Sequence, residues 1–385
     1  MSFTVLIRAM LRAFLLSWWQ KPLVQHAQCW LPRFGLFCTA IWMFGAAVQN
    51  YTLIIFGASL VVVVLISAAM ILAALPVAIV LHLVQAHVAR VEVQAMSGDL
   101  SSKAMNRRDF LRTAASALPM ISTASGLAGV VKSFDEVRLP VFHFTFAGLP
   151  SALHGLKICQ LSDMHLGYFR GVREMEKLFE QVVAHQPDLV LVTGDIADDL
   201  TLLPETLRLL AALKPPLGVY ASLGNHEYYR GIKTVRQHFE ASTIPLLCNA
   251  GLSLSVPGAT LFIGGADDPS RSRRRDMKTF FPQTVAAALL NAPSDSFKIL
   301  MSHRPRGFYS AAELGAQLTL AGHTHGMQIG YNGRSLFELN SSEKLLWGHY
   351  QRGESQLYTT SGVGHWFPFR LGYPPEAPII VLERS

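Results

Sequence analysis

Residues 188–227 read DLVLVTGDIADDLTLLPETLRLLAALKPPLGVYASLGNHE. A short apolar run at 188–192 is followed by Thr-Gly-Asp, and a second run at 217–223 is followed by Gly-Asn-His-Glu. Between them, residues 200–213 have the apolar spacing of a helix. Strand, helix and strand in this order predict a mostly parallel sheet that is covered by helices on both faces. Ligands bind such sheets beyond the carboxyl ends of the strands, where both polar clusters lie.

Three more apolar runs end in polar clusters of the same kind. They precede the letters SDMH, SH and AGHTHG, and they lie at residues 156–161, 297–301 and 317–320. Residues 172–185, after the first of these runs, again have helical spacing. A single Asp-x-His or His-x-His pair indicates little, because such pairs are common in surface loops. Five clusters at the ends of successive strand-like runs predict one shared site.

The clusters contain residues with the chemistry of metal ligands. Carboxylate oxygen, imidazole nitrogen and amide oxygen suit divalent ions such as manganese, iron and zinc. No cysteine takes part, which argues against a structural zinc site of thiolates. Two residues spaced as in D-x-H can reach one site from an extended segment or from its bend. The seven candidate ligands are Asp163, His165, Asp195, Asn225, His303, His323 and His325. Seven ligands exceed one tetrahedral site and predict two ions, which the Asp195 carboxylate could bridge.

The order D-x-H, G-D, G-N-H-E, H and G-H-T-H over residues 149–385 resembles the calcineurin-like metallophosphoesterase superfamily. The letters GGADDP at 264–269 and GYPPE at 372–376 resemble its membrane-anchored or twin-arginine-exported branch, which includes transmembrane proteins with a metallophosphoesterase domain. This resemblance implies an α/β (α+β) fold, a four-layer αββα sandwich, preceded by an all-α transmembrane region.

The resemblance also implies a role for each candidate residue. The first ion takes its ligands from the first and last motifs, namely Asp163, His165 and His325. The second ion takes its ligands from the three later motifs, namely Asn225, His303 and His323. Asp195 would bridge both ions. Our mechanistic hypothesis is that a hydroxide bridging them attacks phosphorus. His226 binds no metal; it faces the scissile phosphate as a general acid or a charge stabiliser.

Two carboxylates beside these motifs have the spacing of residues that orient ligands. We expect Glu227 and Asp198 to hydrogen-bond to imidazoles of the site, as carboxylates around metal centres do. For Asp198, a solvated position in a loop fits the sequence equally well.

Composition indicates what kind of protein carries this domain. Half of the residues are hydrophobic and 15% are charged, against about 25% charged in a typical soluble domain. This excludes a disordered chain. Up to residue 139 there are 11 Lys/Arg and 5 Asp/Glu, a net charge of +6, and from residue 140 there are 22 against 21, a net charge of +1. The near-neutral second part offers no broad basic face, so we expect no nucleic acid as a partner.

Residues 1–100 predict a membrane region with two to four hydrophobic helices. Residues 34–89 contain no Asp, Glu, Lys or Arg, and one span needs about 20 apolar residues. Residues 1–20 are apolar with Arg8 and Arg12 interspersed, which fits an interfacial helix or a further span.

Residues 101–148 predict an anchor segment and a linker to a phosphoesterase domain at 149–385. The order Asn-Arg-Arg-Asp-Phe-Leu-Arg at 106–112 resembles a bacterial twin-arginine export signal. The alternative is a positively charged flank of one more span at 113–131. Either reading places Arg107 and Arg108 in the cytoplasm. We therefore expect a multi-pass protein of the inner (cytoplasmic) membrane, with its catalytic domain on the periplasmic side.

These observations favour a membrane-anchored, two-metal phosphoesterase acting on a phosphate ester or pyrophosphate, with a lipid-linked phosphate as one option. One alternative is a pyrophosphatase of the UDP-2,3-diacylglucosamine type. An alternative of another class is a membrane sensor or scaffold with a non-catalytic metal-binding domain. A basic cluster is either a solvated loop or a patch for anionic lipid head groups, and it consists of Arg271, Arg273, Arg274, Arg275 and Lys278. The choice between monoester and diester stays open.

Overall fold

The structure is a computed structural model that describes residues 22–48, 50–67, 69, 121, 124–167, 169–268, 277–331, 333–339, 341 and 343–385. The chain divides into two compact units. One unit comprises Met1–Val131 with Phe367–Phe369, and the other comprises Lys132–Trp366 with Arg370–Ser385.

The N-terminal unit is helical where it is described. A helix extends over Pro22–Ala47, and residues 51–67 are also helical. Among the helices in the described part of the chain, none is both long enough and apolar enough to cross a bilayer. Several predictions lie outside the described residues: the segment at 1–20, the part of the uncharged run beyond residue 69, the twin-arginine-like motif, and the arginines at 271–275. The membrane region therefore stays a prediction.

The second unit contains two six-stranded sheets, with strands numbered here in chain order. The first sheet has the spatial order β1 (Val141–Phe146), β14 (Ile379–Arg384), β2 (Lys157–Leu161), β3 (Leu189–Thr193), β4 (Val219–Ser222) and β5 (Leu246–Leu247). Strands β2 to β5 are parallel to one another, and β14 is antiparallel to β2. Strand β1 lies ahead of residue 149, so the folded unit includes part of the predicted linker. It is held there by parallel pairing with β14, a long-range contact that the local pattern does not encode.

The second sheet is built in a similar way. Its spatial order is β12 (Gly348–Arg352), β13 (Ser355–Thr359), β9 (Leu318–Ala321), β8 (Phe297–Met301), β7 (Ala259–Gly265) and β6 (Ala250–Val256). The four inner strands are parallel, and both outer strands are antiparallel to their neighbours. A small antiparallel hairpin follows β9, formed by β10 (Gly330–Tyr331) and β11 (Arg334–Ser335).

Helices cover the outer face of each sheet, and they are numbered here within this unit. The helices are α1 (Val172–Ala184), α2 (Leu203–Ala212), α3 (Asn225–Glu240), α4 (Met277–Leu289) and α5 (Gly307–Glu313). Helices α1 to α3 pack on the first sheet, whereas α4 and α5 pack on the second. A third apolar core lies between the sheets. The layers are therefore helix, sheet, sheet and helix.

Strand β3 shows why its sequence is apolar at nearly every position. Val190 and Val192 belong to the core under the helices, whereas Leu189 and Leu191 belong to the core between the sheets. A strand that is buried on both faces needs apolar residues at odd and even positions alike. The continuous run in the sequence is thus the signature of a central strand.

The predicted mixed α/β fold is confirmed, together with its local elements. The five predicted runs form β2, β3, β4, β8 and β9, and the two predicted helices form α1 and α2, the latter after a short 3-10 turn at Leu200–Leu202. Periodicity alone predicted one sheet with helices on both faces, and this was wrong, because the five strands are divided between two sheets that each carry helices on one face. The four layers implied by the family resemblance are present. Local periodicity indicates that a strand is buried, but it does not identify the strand that pairs with it.

Candidate metal centre

The carboxyl ends of β2, β3 and β4 meet those of β8 and β9 at one edge of the two sheets. Gln160, on β2, ties the sheets together beneath this edge. Its side-chain amide donates to the Thr193 hydroxyl at 3.1 Å and to the Ala321 carbonyl at 3.0 Å. Six of the seven predicted ligands fall into two groups whose ligand atoms lie within 4.8 Å of one another, Asp163 with His165 and His325, and Asp195 with His303 and His323.

The first group is buried and closely spaced. His325 Nε2 lies 3.3 Å from Asp163 Oδ1 and 3.2 Å from His165 Nε2. The Asp163 carboxylate is fixed by the Ser162 hydroxyl, which donates to it at 2.6 Å, and by the backbone N–H of His323 at 3.0 Å. Two imidazole nitrogens and a carboxylate oxygen therefore converge on one point.

The second group is organised around Asp195. His303 Nε2 lies 3.2 Å from Asp195 Oδ2, while His303 Nδ1 is 2.8 Å from the Thr193 carbonyl, to which it donates. Asp195 Oδ2 is also 3.7 Å from His165 Nε2 in the first group. The Asp195 carboxylate thus lies between the two groups.

Asn225, the seventh predicted ligand, begins α3 at the same edge and is buried. Its side-chain oxygen has no hydrogen-bond partner among the described residues. A buried polar atom left without a partner costs about 1–3 kcal/mol. A divalent cation beside this oxygen would satisfy it, and the oxygen and imidazole donors of the two groups suit such ions. The residues therefore fit a metal centre.

Five of the seven residues have a left-handed backbone. The φ angles are 51° at Asp163, 47° at His165, 53° at Asp195, 69° at His323 and 46° at His325. Asp and His tolerate this region better than most residues, yet such conformations cost on the order of 1–3 kcal/mol each. The D-x-H and H-x-H pairs reach one site because the chain bends at each ligand. Of the two geometries that the spacing allowed, the bent one is present.

His226 lies beside the two groups and is held by Asp198. His226 Nδ1 is 2.5 Å from Asp198 Oδ1, and Asp198 Oδ2 is 3.3 Å from His165 Nδ1. Arg230 Nε also donates to Asp198 at 3.1 Å. Burial raises the pKa of Asp198, but hydrogen bonds from His165 and His226 outweigh it and hold this pKa well below its usual value. Asp198 therefore contacts imidazoles, as expected, and the alternative of a solvated loop position was wrong.

Glu227 has a different role from the predicted one. Within the described part of the chain, no imidazole hydrogen-bonds to its carboxylate. The carboxylate accepts the backbone N–H groups of Gly224 at 2.7 Å, Asp195 at 3.0 Å and Ile196 at 2.7 Å. Glu227 lies in the first turn of α3 and caps it. Burial raises the pKa of Glu227, and the charge of Asp195 adds to this effect. The side chain thus joins the loop after β3 to the start of α3.

Charges within the centre are strongly coupled. Burial lowers the pKa of His303, but Asp195, Asp163 and Asp268 outweigh it and raise this pKa to about 10. Burial raises the pKa of Asp163, but His325, His303 and His165 hold it well below its usual value. At neutral pH and without ions, a proton on His303 therefore balances part of the carboxylate charge.

Two contacts at the second group were not found from the sequence. Arg304 follows His303 directly, and its Nε donates to the buried Asp268 at 2.8 Å. Its Nη1 lies 2.8 Å from His323 Nε2. The sequence offered two signals for these contacts. Arg304 is next to a candidate ligand, and Asp268 is the second Asp of the GGADDP letters, which served only to define the branch of the family.

Glu376, in the GYPPE letters, is a second feature that the sequence did not explain. Its Oε1 is buried and accepts the indole N–H of Trp347 at 3.1 Å, the Tyr358 hydroxyl at 3.0 Å and the Thr360 hydroxyl at 3.1 Å. It also accepts the backbone N–H of Ser361 at 3.0 Å. This carboxylate therefore anchors the loop after β13, whose Gly364 N–H donates to the Asp163 carbonyl.

Comparison with known proteins identifies relatives of this chain. A family model for the calcineurin-like phosphoesterases matches residues 156–327. An uncharacterized metallophosphoesterase of Aquifex aeolicus is 31% identical over 235 residues, which are 59% of this chain and 85% of that protein. The transmembrane protein with metallophosphoesterase domain of Danio rerio is 28% identical over 280 residues, which are 69% of this chain and 62% of that protein. The match thus covers less than two thirds of the Danio rerio relative.

The chain belongs to the calcineurin-like metallophosphoesterase family. The metallophosphoesterase YkuE of Bacillus subtilis, 26% identical over 299 residues, is matched over 99% of its length. The chain is therefore a hydrolase of phosphoric esters, and its clustered aspartates and histidines are candidate metal-binding residues.

Proposed function

We propose that this protein is a membrane-anchored phosphoesterase that uses two divalent ions, manganese, iron or zinc, to hydrolyse a phosphate ester or pyrophosphate bond. The observation that carries the proposal is the position of Asp195 between two ligand groups, 3.2 Å from His303 Nε2 and 3.7 Å from His165 Nε2. Asp195 would bridge the ions. The first ion would be held by Asp163, His165 and His325, and the second by Asn225, His303 and His323.

The protein side chains then have distinct tasks. Bound divalent ions neutralise phosphoryl charge and acidify bound water. His226 is partly exposed, and its Nε2 lies 4.0 Å from Asp195 Oδ2. With His165 and Asp195 it forms a third group of close ligand atoms, but we assign it to the substrate and not to an ion. It is suited to donate a proton to the leaving oxygen or to stabilise the transition state. Asp198 keeps the His226 ring in place through Nδ1, which leaves Nε2 for the substrate.

The membrane location is the second part of the proposal. It is supported by the uncharged residues 34–89 and by relatives that are named transmembrane proteins. We propose that the chain is a multi-pass protein of the inner membrane with its catalytic unit on the periplasmic side. A phospholipid-like or lipid-linked phosphate would then be within reach of the site.

The catalytic proposal is tested with the full chain purified in detergent. Hydrolysis of p-nitrophenyl phosphate and bis-p-nitrophenyl phosphate would be measured with manganese and with a chelator. We expect activity that depends on manganese and is lost in Asp195→Asn and Asn225→Ala, while the exposed control Asp295→Asn retains it. Activity that survives the chelator, or full turnover in Asp195→Asn, would contradict the proposal.

The location is tested separately in cells that express the chain. We expect the protein to stay in the membrane after extraction at alkaline pH, and added protease to cleave the catalytic unit in spheroplasts but not in intact cells. Protection of that unit in spheroplasts would place it in the cytoplasm and overturn the topology without affecting the catalytic proposal.

A further inference from the structure

Arg304 is a cation held in a fixed position at the edge of the second ligand group. Its Nε donates to Asp268 Oδ2 at 2.8 Å, and its Nη2 lies 3.5 Å from Asp268 Oδ1. The Asp268 side chain is fully buried, whereas 18% of the Arg304 side chain is exposed. Because Asp268 binds the guanidinium through Nε and Nη2, the remaining nitrogen, Nη1, is directed toward the site.

The free side of Arg304 points at a candidate metal ligand. Nη1 lies 2.8 Å from His323 Nε2. A guanidinium can only donate hydrogen bonds, and a neutral imidazole has a single nitrogen lone pair. His323 Nε2 therefore accepts this hydrogen bond.

Metal binding at His323 is incompatible with that hydrogen bond. If the ion takes the lone pair of Nε2, that nitrogen can no longer accept a hydrogen bond from Arg304. If the ion takes Nδ1, then Nε2 must carry the proton and becomes a donor itself. Whichever nitrogen binds the ion, Nη1 loses its partner. Asp268 keeps the guanidinium in place, so its free N–H groups stay at the edge of the site.

Of the acceptors that reach such a site, a phosphoryl oxygen suits a guanidinium best, because the planar fork matches phosphate geometry. A monoester phosphoryl group has three non-bridging oxygens, whereas a diester has two. The monoester therefore has one more oxygen, and one more negative charge, to offer an arginine when divalent ions are also present.

We propose that Arg304 is a substrate-binding residue that contacts a non-bridging phosphoryl oxygen and selects phosphoryl groups with more than one negative charge, such as phosphate monoesters, over diesters. The inference rests on the proposed two-metal function and adds a substrate preference to it. Asp268 acts as a positioning residue, because it touches Arg304 and not the substrate.

Binding of inorganic phosphate to the manganese-loaded full chain, measured by calorimetry, tests the contact directly. Removing a charge-assisted hydrogen bond weakens binding by about 10- to 100-fold, and we expect this loss in Arg304→Ala. Arg306→Ala is the matched control, because Arg306 lies two residues away and is exposed. It should bind phosphate as the wild type does. Arg304→Lys keeps the positive charge but lacks the planar guanidinium. Its phosphate affinity should lie between those of Arg304→Ala and the wild type.

Kinetics test the selectivity. In Arg304→Ala we expect kcat/KM to fall about tenfold more for p-nitrophenyl phosphate than for bis-p-nitrophenyl phosphate, mainly through KM. If Arg304 had only a structural role, Arg304→Ala would lower kcat/KM equally for both substrates and would also reduce the amount of bound manganese. If Arg304→Ala does not fold, Arg304→Lys carries the same comparison at smaller amplitude.

Unchanged phosphate affinity in Arg304→Ala, or an equal effect of Arg306→Ala, would overturn the proposal. An equal fall in kcat/KM for the monoester and the diester would also overturn it. A wild-type chain that binds phosphate but hydrolyses neither substrate would refute the proposed function instead, while the calorimetric comparison would still decide the role of Arg304.

Discussion

The Glu227 carboxylate accepts the backbone N–H of Asp195 at 3.0 Å. The residue between the two ligand groups is therefore positioned from the first turn of α3, 32 residues further along the chain. Glu227 also accepts the N–H groups of Ile196 and Gly224. One buried side chain thus sets the distance between the loop after β3 and the start of α3, where Asn225 lies.

Replacing this side chain should destabilise the protein strongly. Glu227→Ala leaves three backbone N–H groups without their acceptor, at about 1–3 kcal/mol each, so we expect the free energy of unfolding to fall by at least about 3 kcal/mol. Glu174→Ala is the matched control, since Glu174 accepts the Gly171 N–H at 3.0 Å in the first turn of α1 on the surface. It should cost about 1 kcal/mol or less. Urea unfolding measures both, and equal losses would show that Glu227 is an ordinary helix cap.

A methyl group at Gly224 should disturb the centre through lack of space. A Cβ there would lie 2.2 Å from Asp195 Oδ1, although φ at Gly224 is −109°, which any residue adopts. We expect Gly224→Ala to lose metal-dependent activity and most of its bound manganese, because the Asp195 carboxylate must move. Gly148→Ala, where a Cβ meets nothing within 4 Å, should keep both. Metal analysis after gel filtration compares them, and normal manganese content in Gly224→Ala would contradict this account.

The contact between His226 and Asp198 should affect turnover more than metal binding. We expect His226→Ala to lower kcat by about 10²- to 10⁴-fold, the usual contribution of general acid–base catalysis, with unchanged manganese content. Asp198→Asn should lower kcat less, because His226 is still present but less firmly oriented. Asp295→Asn is the control, since Asp295 is exposed. Loss of manganese in His226→Ala would instead indicate that this ring is a ligand.

The ion-free protein should become less stable as pH rises. The folded-state pKa of His303 is about 10, above its ordinary value of 6.5, so protonated His303 stabilises the fold fully below pH 6.5. This stabilisation disappears as pH rises through about 10. We expect the Tm measured with chelator to fall between pH 7 and pH 10 and to fall less in His303→Gln. Parallel pH curves for the two proteins would show that His303 does not carry the proton.

Sequence patterns predicted the local elements well, because they depend on neighbours along the chain. The apolar run at 188–192 and the helical spacing at 172–185 correspond to β3 and α1. Candidate metal ligands are also recognisable from the sequence, since Asp and His residues beside glycine follow the predicted strands directly. The seven candidate ligands could therefore be chosen before any strand partner was known.

Contacts between segments that are distant in the chain could not be predicted from the sequence patterns. The family resemblance implied two sheets, but the sequence pattern did not show which strand belongs to which sheet. It also did not assign Glu227 to backbone amides instead of imidazoles. The same holds for Arg304, whose position depends on the buried carboxylate of Asp268, 36 residues earlier.

The sequence by itself determined which residues are candidate metal ligands and which segments become strands, because residue type and periodicity are properties of the chain alone. Only the tertiary structure decided how these residues are arranged. Asp195 lies between the two ligand groups, His226 rests on Asp198, and Arg304 faces His323. The physical reason is that a hydrogen bond or an ion pair depends on distances of about 3 Å, and packing of the two sheets sets those distances.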